Sequence, residues 1–204
     1  RHQMEVMNVD VRLNVEANAA IVQYTKPEIV ILATGAVPFI PSMPGLDDNR
    51  IYTANQVLIE GLPATGQIII IGGGLVGCET ALHLSNQGNK VTVLEALDDV
   101  AQDMNTISRF TLLEELKKAE VELLTGFEFQ AYESEQILCR NRHGEEKKLQ
   151  ADFIILAMGS TPQRHLIKEL SEQFPFVMEA GDCIRPRKVG DAVHEGFAAG
   201  WRIN

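Results

Sequence analysis

Residues 67–95 read QIIIIGGGLVGCETALHLSNQGNKVTVLE. Gln67–Ile71 is a continuous apolar run, the pattern of a strand buried on both faces inside a parallel sheet. Gly72–Gly77 follows as a glycine-rich turn. Leu75–Gln87 then places Val76, Ala81, Leu82 and Leu84 at helical spacing, and Gly88 stands where a left-handed residue ends a helix. Lys90–Glu95 is a second strand. Strand, helix and strand in this order form a βαβ unit, which predicts a doubly wound, Rossmann-like α/β fold built on a parallel sheet.

The turn is a candidate nucleotide site. Gly72-x-Gly74-x-x-Gly77 follows a strand, opens a helix and precedes an acid at a strand end, Glu95, 18 residues after Gly77. Gly72 allows the tight turn, Gly74 lets a pyrophosphate approach the backbone, and Gly77 lets the helix pack close to the strand. Leu75 and Val76 open the helix, whose free N–H groups and partial positive charge attract phosphate. Glu95 would accept hydrogen bonds from an adenosine ribose and repel a 2′-phosphate. Ala96, Leu97, Asp98 and Asp99 after it include no Arg or Lys, so the expected cofactor is NAD(H) rather than NADP(H). Glu79 has two readings. It is either an acid suited to the dipole of the first helical turn or a contact near the nicotinamide.

An internal repeat sets the organisation around this unit. Residues 27–38, PEIVILATGAVP, recur as residues 151–162, ADFIILAMGSTP, at an offset of 124. Each copy is an apolar run ending in Ala-x-Gly-x-x-Pro. Gly35 and Gly159 therefore end equivalent strands, where a glycine permits close passage of a dinucleotide. The glycine loop lies 87 residues before Gly159. Equal spacing would place the first copy's own loop about 50 residues before Arg1. We therefore expect a piece of a larger protein with nested domains. Residues 64–152 form a whole NAD(H)-binding domain, and residues 1–63 and 153–204 form an incomplete FAD-binding domain that lacks its first βαβ unit.

The remaining chain reads as follows. Residues 4–16, rich in Val, and Ala20–Tyr24 suggest strands. Residues 36–50 carry Pro38, Pro41 and Pro44 and form an extended connector. A short helix is expected at Ala54–Ile59. An amphipathic helix over 105–119 would put Ile107, Phe110, Leu113 and Leu116 on one face, with Lys117 and Lys118 at its negative end. Val121–Leu124 reads as strand. Residues 127–150 read as an antiparallel crossover meander turning near Asn141–Gly144. After a polar stretch, Phe176–Ala180 is a last strand and Asp191–Ile203 a last helix. Between them, Asp182 of Gly181-Asp182 could bond sugar hydroxyls at the sheet edge or simply cap a turn.

Composition narrows the function classes. The chain has 204 residues, is 45% hydrophobic and 23% charged, and carries a net charge of −10. That balance argues against nucleic acid and anionic membranes as partners. No apolar run approaches the roughly 18 residues of a bilayer span. The opening Arg1-His2-Gln3 is polar, unlike a signal peptide. Cys78, Cys139 and Cys183 are odd in number, distant in sequence and without a Cys-x-x-Cys, so they read as small buried apolar groups in a cytoplasmic protein. His194-Glu195 lacks the second His at i+4 that a zinc site needs, and no metal site is expected.

IIIIGGGLVGCETALHLSNQGNKVTVLE (68–95) and GDCIRPRKVGDAVHEGFAAG (181–200) carry a resemblance over essentially the whole chain. It resembles the pyridine-nucleotide-linked flavoprotein reductases with two dinucleotide-binding domains. More specifically, it is similar to the multidomain NADH:flavin oxidoreductases of the old yellow enzyme type, such as 2,4-dienoyl-CoA reductase, enoate reductase and clostridial-type NADH oxidases. The resemblance implies hydride transfer from NADH to FAD. In a longer parent, electrons would pass on through an upstream 4Fe-4S cluster and a barrel holding FMN to an enone or enoyl acceptor. It implies NADH on Gly72, Gly74, Gly77 and Glu95, and FAD on Ala33, Thr34, Gly35, Gly181 and Asp182, with Val189 near the flavin. No catalytic residue is assigned, because hydride transfer between cofactors needs positioning more than a protein acid or base. Two alternatives stand beside this reading: a two-domain NADH:acceptor reductase without a barrel, and a non-catalytic NAD-binding assembly module. The chain alone would be inactive. An exposed sheet edge would favour self-association.

Overall fold

A computed structural model of the chain describes residues 2–46, 48–61, 66–133 and 135–203. It divides into two compact units, residues 37–161 and residues 1–36 with 162–204. The first of these extends on both sides of the expected 64–152, because a strand on either side of that range joins its sheet. The expected boundary at 63–64 lies outside the described residues.

The N-terminal segment departs from expectation. Residues 4–16 do not form a strand. A short exposed helix, α1 (His2–Val6), gives way to irregular exposed chain in which Asn8 and Asn14 adopt positive φ of 53° and 58°. Left-handed residues interrupt the extended backbone that a Val-rich run would otherwise favour. Residues 20–24 are also helical, within α2 (Ala19–Thr25). Asn18 caps the helix by accepting from Ile21 N at 3.0 Å, and Lys26 ends it in the left-handed region ahead of Pro27. Start and stop signals here outweigh β propensity. β1 (Val30–Leu32) follows as expected. The chain then leaves this unit through β2 (Ala36–Pro38).

Unit 37–161 is built on one parallel sheet. β3 (Ile51–Thr53) leads into α3 (Ala54–Glu60), which begins with a capping box between Thr53 and Gln56. β4 (Gln67–Ile71), α4 (Leu75–Ser85) and β5 (Lys90–Glu95) form the βαβ unit read from the sequence. Gly88, with φ 89°, closes the end of α4 through a bond to Ser85 O. α5 (Thr106–Lys118) is capped by Asn105. β6 (Glu122–Thr125) completes that edge of the sheet, and β7 (Phe127–Glu133), β8 (Gln136–Asn141) and β9 (Glu146–Gln150) form the antiparallel meander. β10 (Phe153–Leu156) then inserts between β3 and β4, giving the order β3-β10-β4-β5-β6.

Alternate residues of β4 serve the two faces. Ile68 and Ile70 pack with Cys78, Ala81 and Leu84 on the helical side. Ile69 and Ile71 pack with Phe127, Phe129 and Ile137 on the meander side. Cover on both faces is the reason the strand reads as an unbroken apolar run. One expected face is wrong. In α5, Leu112 and Leu116 are buried, whereas Ile107 and Phe110 are 81% and 67% exposed. Each three-residue step precesses by about 60° around a helix, so a set spread over 107–116 does not share one side.

The chain returns through β11 (Ser160–Pro162) to the other unit. There, α6 (His165–Gln173) replaces the expected polar stretch. β12 (Val177–Glu179) pairs in parallel with β1, and α7 (Val189–Trp201) begins two residues earlier than expected. The core of this unit is small: Ala19, Val30, Leu32, Leu166 and Leu170. All three cysteines are buried and unpaired by disulfides. Among the described residues, no helix is long and apolar enough to cross a membrane.

Candidate functional site

The glycine turn at the C-terminal end of β4 is shaped by contacts that exclude side chains. Gly72 has φ 108°, and a Cβ there would lie 2.4 Å from Ala157 O. A Cβ on Gly77 would lie 1.9 Å from Gly72 O, so the first turn of α4 sits directly against the strand end. Gly74 is different. It is the N-cap of α4, makes no side-chain cap, and has no atom within 4 Å of where a Cβ would stand. The first turn of α4 also contains no acidic residue. The N-terminal end of α4 and its dipole are thus left open beside Gly74, the arrangement that accepts an anion. A phosphate-bearing ligand fits here.

Glu95 lies at the end of β5 beside this turn. Its Oε2 accepts from Gly73 N at 2.5 Å and its Oε1 from Leu97 N at 2.8 Å. The carboxylate is thus fixed by two backbone donors, while an ionised carboxylate has about four acceptor sites. Gly73, which the motif leaves as a free position, is as constrained as its neighbours. A Cβ there would meet Val100 Cγ1 at 2.7 Å and Glu95 Cβ at 2.9 Å. The run of three glycines is the sequence signal for it. Beneath the loop, Cys78 Sγ donates to Gly73 O, and burial pushes its thiol pKa up to about 12. A thiol so placed stays protonated and unreactive at neutral pH.

A cavity of about 370 Å³ opens along these residues. Gly72, Gly74, Glu95 and Gly159 line it, as expected positions, together with Phe129 and Met158, which sequence reasoning did not single out. Gly159 has φ 91° and open space beside it. Leu75, Val76 and Gly77 belong to the first turn of α4. Glu79 is exposed and lies in the second turn, not the first, so the dipole reading loses its basis.

The remaining expected residues lie in the other unit. Ala33, Thr34 and Gly35 follow β1. Thr34 Oγ1 donates to Gln163 O at 2.6 Å, Gln163 N donates to Gly35 O at 2.9 Å, and Gly35 has φ 71° with no atom near its Cβ position. Gly181 and Asp182 form a single 3-10 turn after β12. Asp182 Oδ1 accepts from Arg187 N at 3.1 Å, a turn-closing role. Val189 opens α7 and is exposed. Glu195 braces this loop, accepting from Gly181 N at 2.8 Å and pairing with Arg187. The Arg187 guanidinium, helped by the Gly181 amide, holds its carboxyl below the usual range. Neither Arg187 nor Glu195 carried a motif that marks it as a brace. The clamp joins the residue before the Lys188 N-cap to the second turn of α7.

The model of the pyridine nucleotide-disulphide oxidoreductase family matches residues 4–196. The chain is 34% identical over 200 residues to an NADH oxidase of Thermoanaerobacter brockii, covering 96% of this chain and 31% of that protein. It is 33% identical over 199 residues to a bilirubin reductase of Mediterraneibacter gnavus (strain CC55_001C), covering 97% and 31%. It thus spans about a third of the length of these relatives. Among solved structures, a 2-naphthoyl-CoA reductase superposes with a TM-score of 0.88 at 24% identity, over 96% of this chain and 30% of that one, a likeness of fold. With an α/β nucleotide-type fold and a family match across nearly all of its length, this chain belongs to the pyridine nucleotide-disulphide oxidoreductases.

Proposed function

We propose that the chain binds NADH in unit 37–161 and contributes to FAD binding in the other unit, as the part of a flavoprotein oxidoreductase that moves a hydride between them. The observation that carries this reading is the uncapped N-terminus of α4 at Gly74, open to solvent and flanked by Glu95. NADH would supply the hydride and FAD would accept it. The chain's own residues bind and orient. The amides of the first turn of α4, with Leu75, Val76 and Gly77, hold pyrophosphate; Gly72 makes the tight turn and Gly74 gives the ligand room. Glu95 accepts from the adenosine ribose with the sites left by Gly73 and Leu97, and it repels a 2′-phosphate. Glu79 and Gly159 lie toward the nicotinamide end. Ala33, Thr34, Gly35, Gly181, Asp182 and Val189 serve FAD, with Asp182 on its ribitol side.

The NADH oxidase among the relatives supports NADH as the donor. The relatives' greater length, and the reductase in their number, support a further step. In a longer protein of old yellow enzyme type, this region would feed a 4Fe-4S cluster and an FMN-holding barrel that reduce an enone or enoyl acceptor. We place the protein in the cytoplasm. We also propose that the chain by itself is inactive and self-associates through the unit containing β1.

Calorimetric titration with NADH, NADPH and FAD tests the reading. NADH should bind at least tenfold more tightly than NADPH, a difference of about 1.4 kcal/mol, and FAD only weakly. Preference for NADPH, or no binding of NADH, would overturn it.

A further inference from the structure

Next to the nucleotide cavity, on the side of Ala96, lies a second one of about 420 Å³. Ala96 and Glu128 line both, so the second lies where the adenosine end of a nucleotide would arrive. Residues 96–99 after Glu95 include no cation, but the fold brings two into the lining of this second cavity. Arg140 and Arg142, on the turn side of the β8–β9 hairpin, line this second cavity with Asp98. Arg140 is held along its own hairpin by Glu146, Nη2 to Oε1 at 2.5 Å. Arg142 reaches across instead, with Nη1 3.2 Å from Asp98 Oδ2, between residues 44 apart in sequence.

Both members of this pair are largely exposed, at 72% and 71% of their side-chain surface. A pair so exposed adds little to stability. Its consequence is local charge. A free guanidinium beside the adenosine ribose is the group best suited to grip a phosphate through two parallel bonds. Paired with Asp98, the same guanidinium is neutralised.

Resting on the nucleotide reading above, we infer that Asp98 is a second determinant of cofactor choice, acting by withholding Arg142 from a 2′-phosphate. Glu95 repels that phosphate directly, and Asp98 removes the cation that would attract it. Exclusion of the wrong ligand by both means is a known route to specificity.

The test is calorimetric titration of the wild type, Asp98→Asn and Asp98→Asn/Arg142→Ala with NADH and with NADPH. Asp98→Asn should tighten NADPH binding about two- to fivefold, up to the roughly 1 kcal/mol that such an exposed pair can withhold, and leave NADH unchanged. Adding Arg142→Ala should erase the gain, which a mere loss of negative charge would not predict. NADPH affinity unchanged by Asp98→Asn, or a gain that survives Arg142→Ala, defeats this inference while leaving NADH binding intact. Failure of the wild type to bind NADH defeats the nucleotide reading itself, and this inference with it.

Discussion

Gly77 leaves no space for a methyl group, since an added Cβ would lie 1.9 Å from Gly72 O and 3.3 Å from Ala157 Cβ. Both obstacles belong to the strand ends under the helix, so relief requires α4 itself to move. Gly77→Ala should therefore cost about 1–3 kcal/mol, the usual range for overpacking, and weaken NADH binding by at least tenfold as the helix N-terminus is displaced. Thermal unfolding and NADH titration measure the two effects. An unchanged midpoint together with unchanged affinity would refute the packing role. Gly74 has no comparable obstacle, so its importance lies in the space it leaves open. The motif spacing made these positions legible, because each glycine answers a local backbone requirement. Arg142 was not legible. Its relation to Asp98 depends on how a hairpin folds back over the sheet, and no local pattern encodes that.

The elements were legible where local pattern and tertiary demand agree. β4, α4 and β5 fall where the apolar run, the glycine turn and Gly88 place them. Elsewhere they diverge. A Val-rich composition favours a strand only if a partner pairs with it, and residues 4–16 have no pairing among the described residues. α6 looked polar because its face is narrow, yet Leu166 and Leu170 at i and i+4 meet α2 through Ala19 and Val22. α5 offers the sharpest contrast between pattern and packing. Leu116→Ala, fully buried, should cost about 2–5 kcal/mol. Ile107→Ser and Phe110→Ser, both exposed, should stay within about 0.5 kcal/mol of the wild type. Urea unfolding of the three variants decides between the observed face and the one a simple i+3 reading gives. Equal losses at Ile107 and Leu116 would restore the latter.

The two units differ in how completely they cover their apolar groups. In unit 37–161 the sheet has helices on one face and the meander on the other, and Ile68–Ile71 of its central strand are buried. The other unit offers a two-stranded sheet of β1 and β12 and one small cluster of side chains. Among its described residues, β1 has β12 as its only neighbour, so its other backbone edge is unpaired. On α7, Val189, Val193, Phe197 and Trp201 recur every fourth residue and are all more than 60% exposed. Phe197 and Trp201 stack with ring centroids 6.1 Å apart. An open strand edge attracts another strand, and a contiguous apolar stripe with large aromatics attracts another surface. Two such features on one small unit make a second copy of the chain an available partner. Light scattering should therefore give a mass above that of one chain, rising with concentration. Phe197→Glu/Trp201→Glu should shift it toward the monomer, because two carboxylates placed at the centre of an apolar contact are costly to desolvate. Far-ultraviolet circular dichroism should be unchanged, since both side chains already face water. A wild type that stays monomeric at high concentration would show that the edge and the stripe, though exposed, do not recruit a second copy.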